Sequence, residues 1–180
     1  MGIFGKDFND MFLSQIVSVA GGLIVGTFIA VHTDKLILIP GMLILLPGFL
    51  EMRGNISGTF ASRLSSGLFL KMINPDKINT KITRGNLIAS FLLAIVVSFV
   101  LGIIAFIFNY ITIKALVFKI ILLPVIAGII ANAIEIPLTM FVTFYLFKKG
   151  HDPNNIMGPF VTSTGDITST LSLLLALIII

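Results

Sequence analysis

The chain has 180 residues, of which 57% are hydrophobic and 11% are charged, and its formal net charge is +4. Soluble domains are about 25% charged, so this composition, with a mean hydropathy of +1.10, excludes a water-soluble fold and predicts an all-α integral membrane protein. The absence of cysteine excludes a disulfide framework, a zinc–thiolate site and a thiol nucleophile. No basic stripe with interleaved aromatic residues occurs, so we expect lipid and not nucleic acid around the protein.

The first predicted membrane span covers residues 12–31, because a span needs about 20 mostly apolar residues. Gly22 and Gly26 form a small-xxx-small pair within it, which predicts a close helix-packing face. The first 13 residues, MGIFGKDFNDMFL, have mixed charges and no cleavage site. They indicate a short amphipathic lead-in and not a signal peptide.

The second predicted span, residues 36–70, is the least regular. Its apolar first part is short for a full crossing and contains two Pro–Gly pairs, and its second part is rich in Ser, Thr, Gly and Ala. We predict one long helix, interrupted near Pro47–Gly48 or Gly54, whose second half faces protein or water. The alternative is a short span followed by an interfacial amphipathic helix.

Three further spans are predicted, at residues 87–108, 115–147 and 156–180. A polar loop, residues 71–86, precedes them. The span over 115–147 is too long for one untilted helix. We expect the whole chain, residues 1–180, to form a single transmembrane domain of five helices with no cytosolic domain.

Five spans place the N-terminus and the loops 71–86 and 148–155 on one side of the membrane. Most basic residues lie on that side: Lys6, Lys71, Lys77, Lys81, Arg84, Lys148 and Lys149. The positive-inside rule therefore predicts the N-terminus in the cytoplasm and the C-terminus outside. We expect the membrane to be the cell (plasma) membrane.

The fifth span contains the most informative stretch, residues 152–170 (DPNNIMGPFVTSTGDITST). It begins as a polar turn and then places Asp166 among Gly, Pro, Ser and Thr residues inside an apolar segment. An Asp at the centre of a membrane helix costs roughly 2.5–3.5 kcal/mol, so it usually faces protein or water. Gly158–Pro159 and Gly165 are expected to loosen the helix and free carbonyl oxygens. The stretch therefore predicts an all-oxygen site for a hard cation in a membrane pore.

Glu135 is the second carboxylate inside a predicted span. It is a candidate for a second ion site, for a proton-coupling group or for the ionic partner of Arg63. Arg63 is expected to pair with Glu51, Glu135 or a loop carboxylate, or to extend toward the cytoplasmic interface. The two interrupted, polar-rich spans, the second and the fifth, indicate a transport site between them.

Two short patterns resemble the MgtE family of magnesium channels and transporters. Residues 152–153 (DP) and 158–162 (GPFVT), followed by Asp166, are similar to that family's last membrane helix. Residues 54–55 (GN) and 61–65 (ASRLS) resemble its second-helix signature, the latter most closely in the eukaryotic solute-carrier relatives. Because order, spacing and the five-span layout agree, the resemblance covers nearly the whole chain.

The resemblance implies a homodimer whose second and fifth helices line an ion pathway on the two-fold axis. It also implies that Asp166 holds Mg²⁺, the bound and transported ion. Three positions depart from the family pattern: bacterial members often carry Asn where Met52 stands and Gln where Ile56 stands, and the eukaryotic pattern has Glu where Ser57 stands. The magnesium-sensing cytosolic domains of bacterial members have no counterpart among these residues, so their gating is not implied.

Four polar residues join Asp166 as candidate water-mediated metal contacts: Asn55, Ser62, Thr162 and Ser163. Mg²⁺ prefers octahedral oxygen and gives up water reluctantly, so proteins usually hold it partly hydrated through one or two carboxylates. Two Asp166 side chains on a dimer axis would nearly balance the charge of the ion. Each of the four polar residues also has a structural alternative, as a polar group in helix packing.

The sequence predicts divalent cation transport, foremost of Mg²⁺, and no enzymatic activity. The alternatives are a Na⁺- or H⁺-coupled exchanger and a transporter of another divalent cation such as Mn²⁺ or Ca²⁺. The lack of cysteine and of an intramembrane histidine disfavours a soft-metal site. A membrane-embedded enzyme would need clustered carboxylates, and a non-transporting assembly subunit would not need two polar, interrupted helices.

Overall fold

The fold is a bundle of long helices. The computed structural model describes residues 5–180, and no strand occurs among them. The helices are α1 (Lys6–Val31), α2 (Thr33–Leu36), α3 (Met42–Phe69), α4 (Lys81–Ile113), α5 (Lys119–Lys148) and α6 (Pro153–Ile179). The all-α prediction is confirmed for these residues.

Four helices of the described part, α1, α4, α5 and α6, are long and apolar enough to cross a membrane. The fifth long helix, α3, has 28 residues and is therefore about 42 Å long. It is more polar because it contains Glu51, Arg53 and Arg63. It packs against α4, α5 and α6 and forms the centre of the main apolar core with residues such as Phe49 and Leu45.

Polar contacts between loops define one end of the bundle, which we call the basic end. Lys6 at the start of α1 donates from Nζ to the carbonyl oxygen of Gly150, before α6 (2.7 Å). Lys148 at the end of α5 forms an ion pair with Asp76 in the loop between α3 and α4 (3.2 Å). The start of α1, the end of α3 and the end of α5 therefore meet at this end.

The opposite end is also fixed by side chains. Asn109, near the end of α4, donates from Nδ2 to the carbonyl oxygen of Pro40, just before α3 (3.1 Å). The next residue, Gly41, has φ +86°, and a Cβ there would lie 2.5 Å from Cγ of Asn109. Only glycine suits this turn, because it needs both a left-handed backbone and a missing side chain. Consecutive long helices therefore run in alternate directions, and α3 extends from one end of the bundle to the other.

The predicted interruptions of the second and fifth spans are absent, so that prediction was wrong. A proline inside a membrane helix removes one backbone hydrogen bond, and a neighbouring side chain can satisfy the freed carbonyl without a break. Pro159 leaves the carbonyl oxygen of Asn155 without its helical donor. The Ser14 hydroxyl of α1 lies 3.2 Å from that oxygen and 2.8 Å from the carbonyl oxygen of Met11, so the two oxygens share its single hydrogen. The unbroken helices pass through all the predicted sites, Pro47–Gly48 and Gly54 in α3, and Gly158–Pro159 and Gly165 in α6.

Helix boundaries also differ from the predicted spans. The polar residues 81–86 form the first turns of α4, because Thr80 caps the helix by accepting a hydrogen bond from the backbone N–H of Thr83 (3.2 Å). That helix continues to Ile113, and α5 begins only at Lys119. The helix in the second predicted span, α3, begins later than predicted, at Met42, because residues 37–41 form a turn. The N-terminal lead-in is the first part of α1 from Lys6 onward, while its residues 1–4 lie outside the described residues.

α1 packs mainly against α6, through a different face from the predicted one. A Cβ on Gly21 would lie 2.0 Å from Oγ of Ser163, so the two backbones approach closely there. By contrast, a Cβ on Gly22 or on Gly26 would have nothing within 4 Å. The small residue that packs is therefore Gly21, with Val25 one turn later as the other buried residue of α1.

This packing predicts different effects for two neighbouring substitutions. Gly21→Val should lower the free energy of unfolding by about 2 kcal/mol, because the added side chain overpacks the contact with Ser163. Gly22→Val is the matched control, since it makes the same change in helix propensity and faces open space. Thermal unfolding of the purified protein in detergent measures both, and equal losses would contradict the assigned packing face.

Candidate ion-binding groove

A polar groove of about 470 Å³ lies between α3 and α6. It is open on the side away from the rest of the bundle, because several of its residues are exposed. Its lining contains two carboxylates, one amide and one hydroxyl, and no basic side chain. The lining residues are Pro47, Leu50, Glu51, Gly54, Asn55, Gly58, Gly158, Val161, Thr162 and Asp166.

On α6, Asp166 and Thr162 lie one turn apart in the groove. Asp166 is partly buried and Thr162 is exposed. The Thr162 hydroxyl donates to the carbonyl oxygen of Gly158 in its own helix (3.0 Å), so its lone pairs remain free to accept. The three predicted contacts Asp166, Thr162 and Asn55 are thus brought together by the fold.

On α3, Glu51 and Asn55 lie one turn apart and share the groove face. Asn55 Nδ2 donates to Glu51 Oε1 (3.1 Å), which leaves the Asn55 amide oxygen available as a ligand. Glu51 was considered from the sequence only as a partner for Arg63, so its place in the groove was missed. The i, i+4 spacing from Asn55 was the signal that could have revealed it.

Two other predicted contacts lie outside the groove. Ser163 is buried on a different face of α6, next to Gly21 of α1. Ser62 is exposed on the groove face of α3, but it lies one turn beyond Gly58, the last α3 residue of the lining. These two side chains are therefore not grouped with Asp166.

Glu135 is fully buried between α5 and α6. Its Oε1 accepts a hydrogen bond from Thr164 (2.8 Å), and its Oε2 accepts one from Thr168 (3.3 Å). Each α-helical residue turns the chain by about 100°, so Asp166 lies on the opposite face of α6 from these two threonines. The two intramembrane carboxylates therefore occupy different sites, on either side of one helix.

The two arginines of α3 form hydrogen bonds to neutral side chains, and Arg63 lacks the carboxylate partner that was predicted for it. Arg63 donates from Nη2 to Ser90 Oγ on α4 (3.1 Å) and forms no ion pair among the described residues. Arg53 was not among the residues predicted to be important, yet it is fully buried and donates from Nη1 to Oδ1 of Asn132 on α5. Its burial depends on the rotation of α3 within the bundle, and residue spacing alone does not determine that rotation.

The groove offers oxygen ligands only, from Glu51, Asn55, Thr162 and Asp166. Such a set suits a hard divalent cation that keeps part of its water. No group of three or more His, Cys, Asp or Glu residues that could hold a metal occurs among residues 5–180. The groove of a single chain contains two carboxylates, those of Glu51 and Asp166.

A protein-family model described as MgtE, divalent cation transporter, matches residues 46–176. The chain belongs to the MgtE family. The comparisons with curated proteins and with solved structures gave no match. MgtE proteins form a family of divalent cation transporters and not of enzymes, which fits the sequence prediction of a membrane protein that carries a divalent cation.

The MgtE match includes nearly all of both groove helices. It begins at Leu46, in the second turn of α3, and ends at Ala176, in the last turn of α6. It therefore contains every residue of the groove lining. Helix α1 lies outside the matched residues.

Because they lie on different faces of α6, two threonines of this MgtE protein should differ in how much they contribute to the free energy of unfolding. Thr164→Val should lower the free energy of unfolding by about 2 kcal/mol, because it removes a hydrogen bond to a buried carboxylate. Thr162→Val should change it by about 0.5 kcal/mol or less, because Thr162 is exposed. Chemical denaturation in detergent micelles measures both variants. A larger loss for Thr162→Val than for Thr164→Val would contradict the orientation of α6.

Proposed function

We propose that this protein is a homodimeric pathway for divalent cations, foremost Mg²⁺, centred on Asp166. The observation that carries the proposal is the groove between α3 and α6, where two carboxylates, an amide and a hydroxyl converge without a basic residue. The family match supports transport of a divalent cation. Magnesium is the ion that the oxygen ligands favour, because Mg²⁺ is held through one or two carboxylates while it keeps several waters.

The open side of the groove supports a second copy of the chain as its partner. Glu51 is exposed and Asp166 is partly exposed, and charged groups at membrane depth face protein or water and not lipid. A two-fold axis along the groove would join two such half-sites into one pathway enclosed by protein. The two Asp166 carboxylates would then face the hydrated ion, with Glu51, Asn55 and Thr162 of each copy around its retained water.

The topology that we propose has five spans, with α3 as the fifth. α3 is long enough and runs the full length of the bundle. Of its charged residues, Arg53 is buried, Glu51 faces the groove and Arg63 donates to Ser90 of α4. The basic end carries Lys6, Lys71, Lys77, Lys81, Arg84, Lys148 and Lys149, against Lys35, Lys114 and Lys119 at the other end. By the positive-inside rule the basic end is cytoplasmic, and the cell membrane is the proposed location.

The proposal predicts a flux of Mg²⁺ that depends on Asp166. Asp166→Asn should abolish voltage-driven Mg²⁺ uptake into proteoliposomes, because it removes the charge at the centre of the site. Voltage is a strong driving force for a dication, worth roughly 4.6 kcal/mol per 100 mV, or twice the value for one charge. A fluorescent Mg²⁺ indicator inside the vesicles follows the uptake.

Ser163→Ala is the control for this experiment, since Ser163 lies close to Asp166 in sequence but outside the groove. Its uptake should equal that of the wild type. Uptake that ignores voltage and needs a Na⁺ or proton gradient would replace the channel with an exchanger. Absence of Mg²⁺ uptake by a wild type shown to be dimeric would overturn the proposal, and parallel assays with Mn²⁺ and Ca²⁺ would then identify another cargo.

Glu51 should contribute to ion affinity as a second groove carboxylate. Glu51→Gln should raise the Mg²⁺ concentration for half-maximal uptake about tenfold, the effect of removing one charge roughly 6 Å from a dication in water. Asp34→Asn is the matched control, because Asp34 is an exposed acid that does not line the groove. If both variants gave the same small change, Glu51 would act only through the general surface charge.

A further inference from the structure

Two charged side chains are fully buried in the described part of the chain, Arg53 and Glu135, each with 0% of its surface exposed. Arg53 lies on α3 and Glu135 on α5. Arg53 contacts Asn132, which lies one turn from Glu135 on α5, but the two charged groups form no direct ion pair. The flux proposed above uses neither of them, so their presence in an apolar bundle needs a separate explanation.

Neither charge has an equal and opposite partner in contact with it. Arg53 donates from Nη1 to Asn132 Oδ1, while its Nε and Nη2 have no hydrogen-bond partner. Glu135 accepts hydrogen bonds only from hydroxyls, those of Thr164 and Thr168. Because both groups are far from water, salt screens their fields only weakly.

Both charges lie directly behind the groove. Arg53 lies two residues from Glu51 and two from Asn55, so it is on the opposite side of α3 from these groove residues. Glu135 likewise contacts the side of α6 opposite Asp166. Each charge is thus separated from the groove by one helix, which is about 10 Å thick.

We propose that Arg53 and Glu135 are a buried pair of compensating charges, each of which shifts the affinity of the groove for its divalent cation in the opposite direction to the other. This inference rests on the proposed function. Arg53 alone would repel a dication in the groove, and Glu135 offsets that repulsion. Glu135 alone would add attraction and hold the ion more tightly. When both charges are present, the electrostatic potential in the groove is determined mainly by the groove carboxylates, Glu51 and Asp166.

The test measures the Mg²⁺ concentration for half-maximal uptake, KM, in proteoliposomes. Glu135→Gln should raise KM at least about fourfold, the effect of one unit charge about 10 Å from a dication at the dielectric constant of water. Arg53→Met should lower KM by a similar factor. The double variant Arg53→Met/Glu135→Gln should return to within about twofold of the wild type. Shifts of opposite sign are the signature of charge, because a purely structural role gives losses in the same direction.

Glu135→Asp separates the effect of the charge from the effect of side-chain shape, so the test does not depend on one variant alone. Gln has the shape of Glu without its charge, and Asp has the charge with a shorter side chain. Compensation by charge predicts a KM for Glu135→Asp closer to the wild type than that of Glu135→Gln. A structural role for the side chain predicts the reverse order. The reverse order, or shifts of the same sign in Glu135→Gln and Arg53→Met, would overturn the inference.

Failure of the inference can be separated from failure of the proposed function. If uptake depends on Asp166 but the KM shifts share one sign, only the role of the buried pair is refuted. If the wild type shows no uptake that Asp166→Asn abolishes, both proposals are overturned. Thermal unfolding of each variant, measured alongside, distinguishes a change in KM from a loss of folded protein.

Discussion

Placing charge in a medium that cannot solvate it costs free energy, and this cost explains how the polar side chains of the bundle are arranged. A carboxylate or guanidinium at membrane depth needs protein or water around it. Glu51, Arg53, Glu135 and Asp166 are charged groups within the long helices α3, α5 and α6. Their surroundings divide the bundle into two polar regions. One is the open groove between α3 and α6, and the other is the closed interior behind it, between α3, α5 and α6. Large apolar side chains are exposed on other faces of the long helices, where lipid would contact them.

Helix α6 lies between these two regions and contributes side chains to both. Its residues at 162 and 166 face the groove, while those at 164 and 168 hold the buried carboxylate of Glu135. A third face, at Ser163, meets α1. The density of small and hydroxyl residues in this helix follows from these contacts, since close backbone approach needs small residues and buried charge needs donors.

Much of the fold could be predicted from the sequence because the apolar runs are long and the polar loops are distinct. The charge at residue 166 could likewise be identified as unusual, since an Asp among apolar residues has few structural explanations. Rotation of the helices was the part that could not be predicted. Ser163 lies next to Thr162 in sequence but 100° around the helix, so the sequence alone could not separate the groove residue from the packing residue.

The prolines show a second limit. Residue type predicts that a proline removes a backbone hydrogen bond, but it does not reveal whether a neighbour replaces it. Ser14 of α1 supplies a donor to the carbonyl oxygen that Pro159 frees, and that contact joins residues 141 positions apart. Arg53 is similar, because its burial results from how α4, α5 and α6 enclose α3.

The division of α6 into faces has a consequence for how this chain can change over evolutionary time. One residue inserted between Pro159 and Asp166 would turn the carboxylate by 100° around the helix axis, away from the groove. The same insertion would carry Thr168 away from Glu135, and Thr164 as well if it fell before that residue. A substitution in α6 affects the contacts of one face only. A change in its length rotates every residue beyond the change and so alters all its faces. The spacing within α6 should therefore be preserved more strictly than the identity of its residues, and the loops should hold the tolerated insertions.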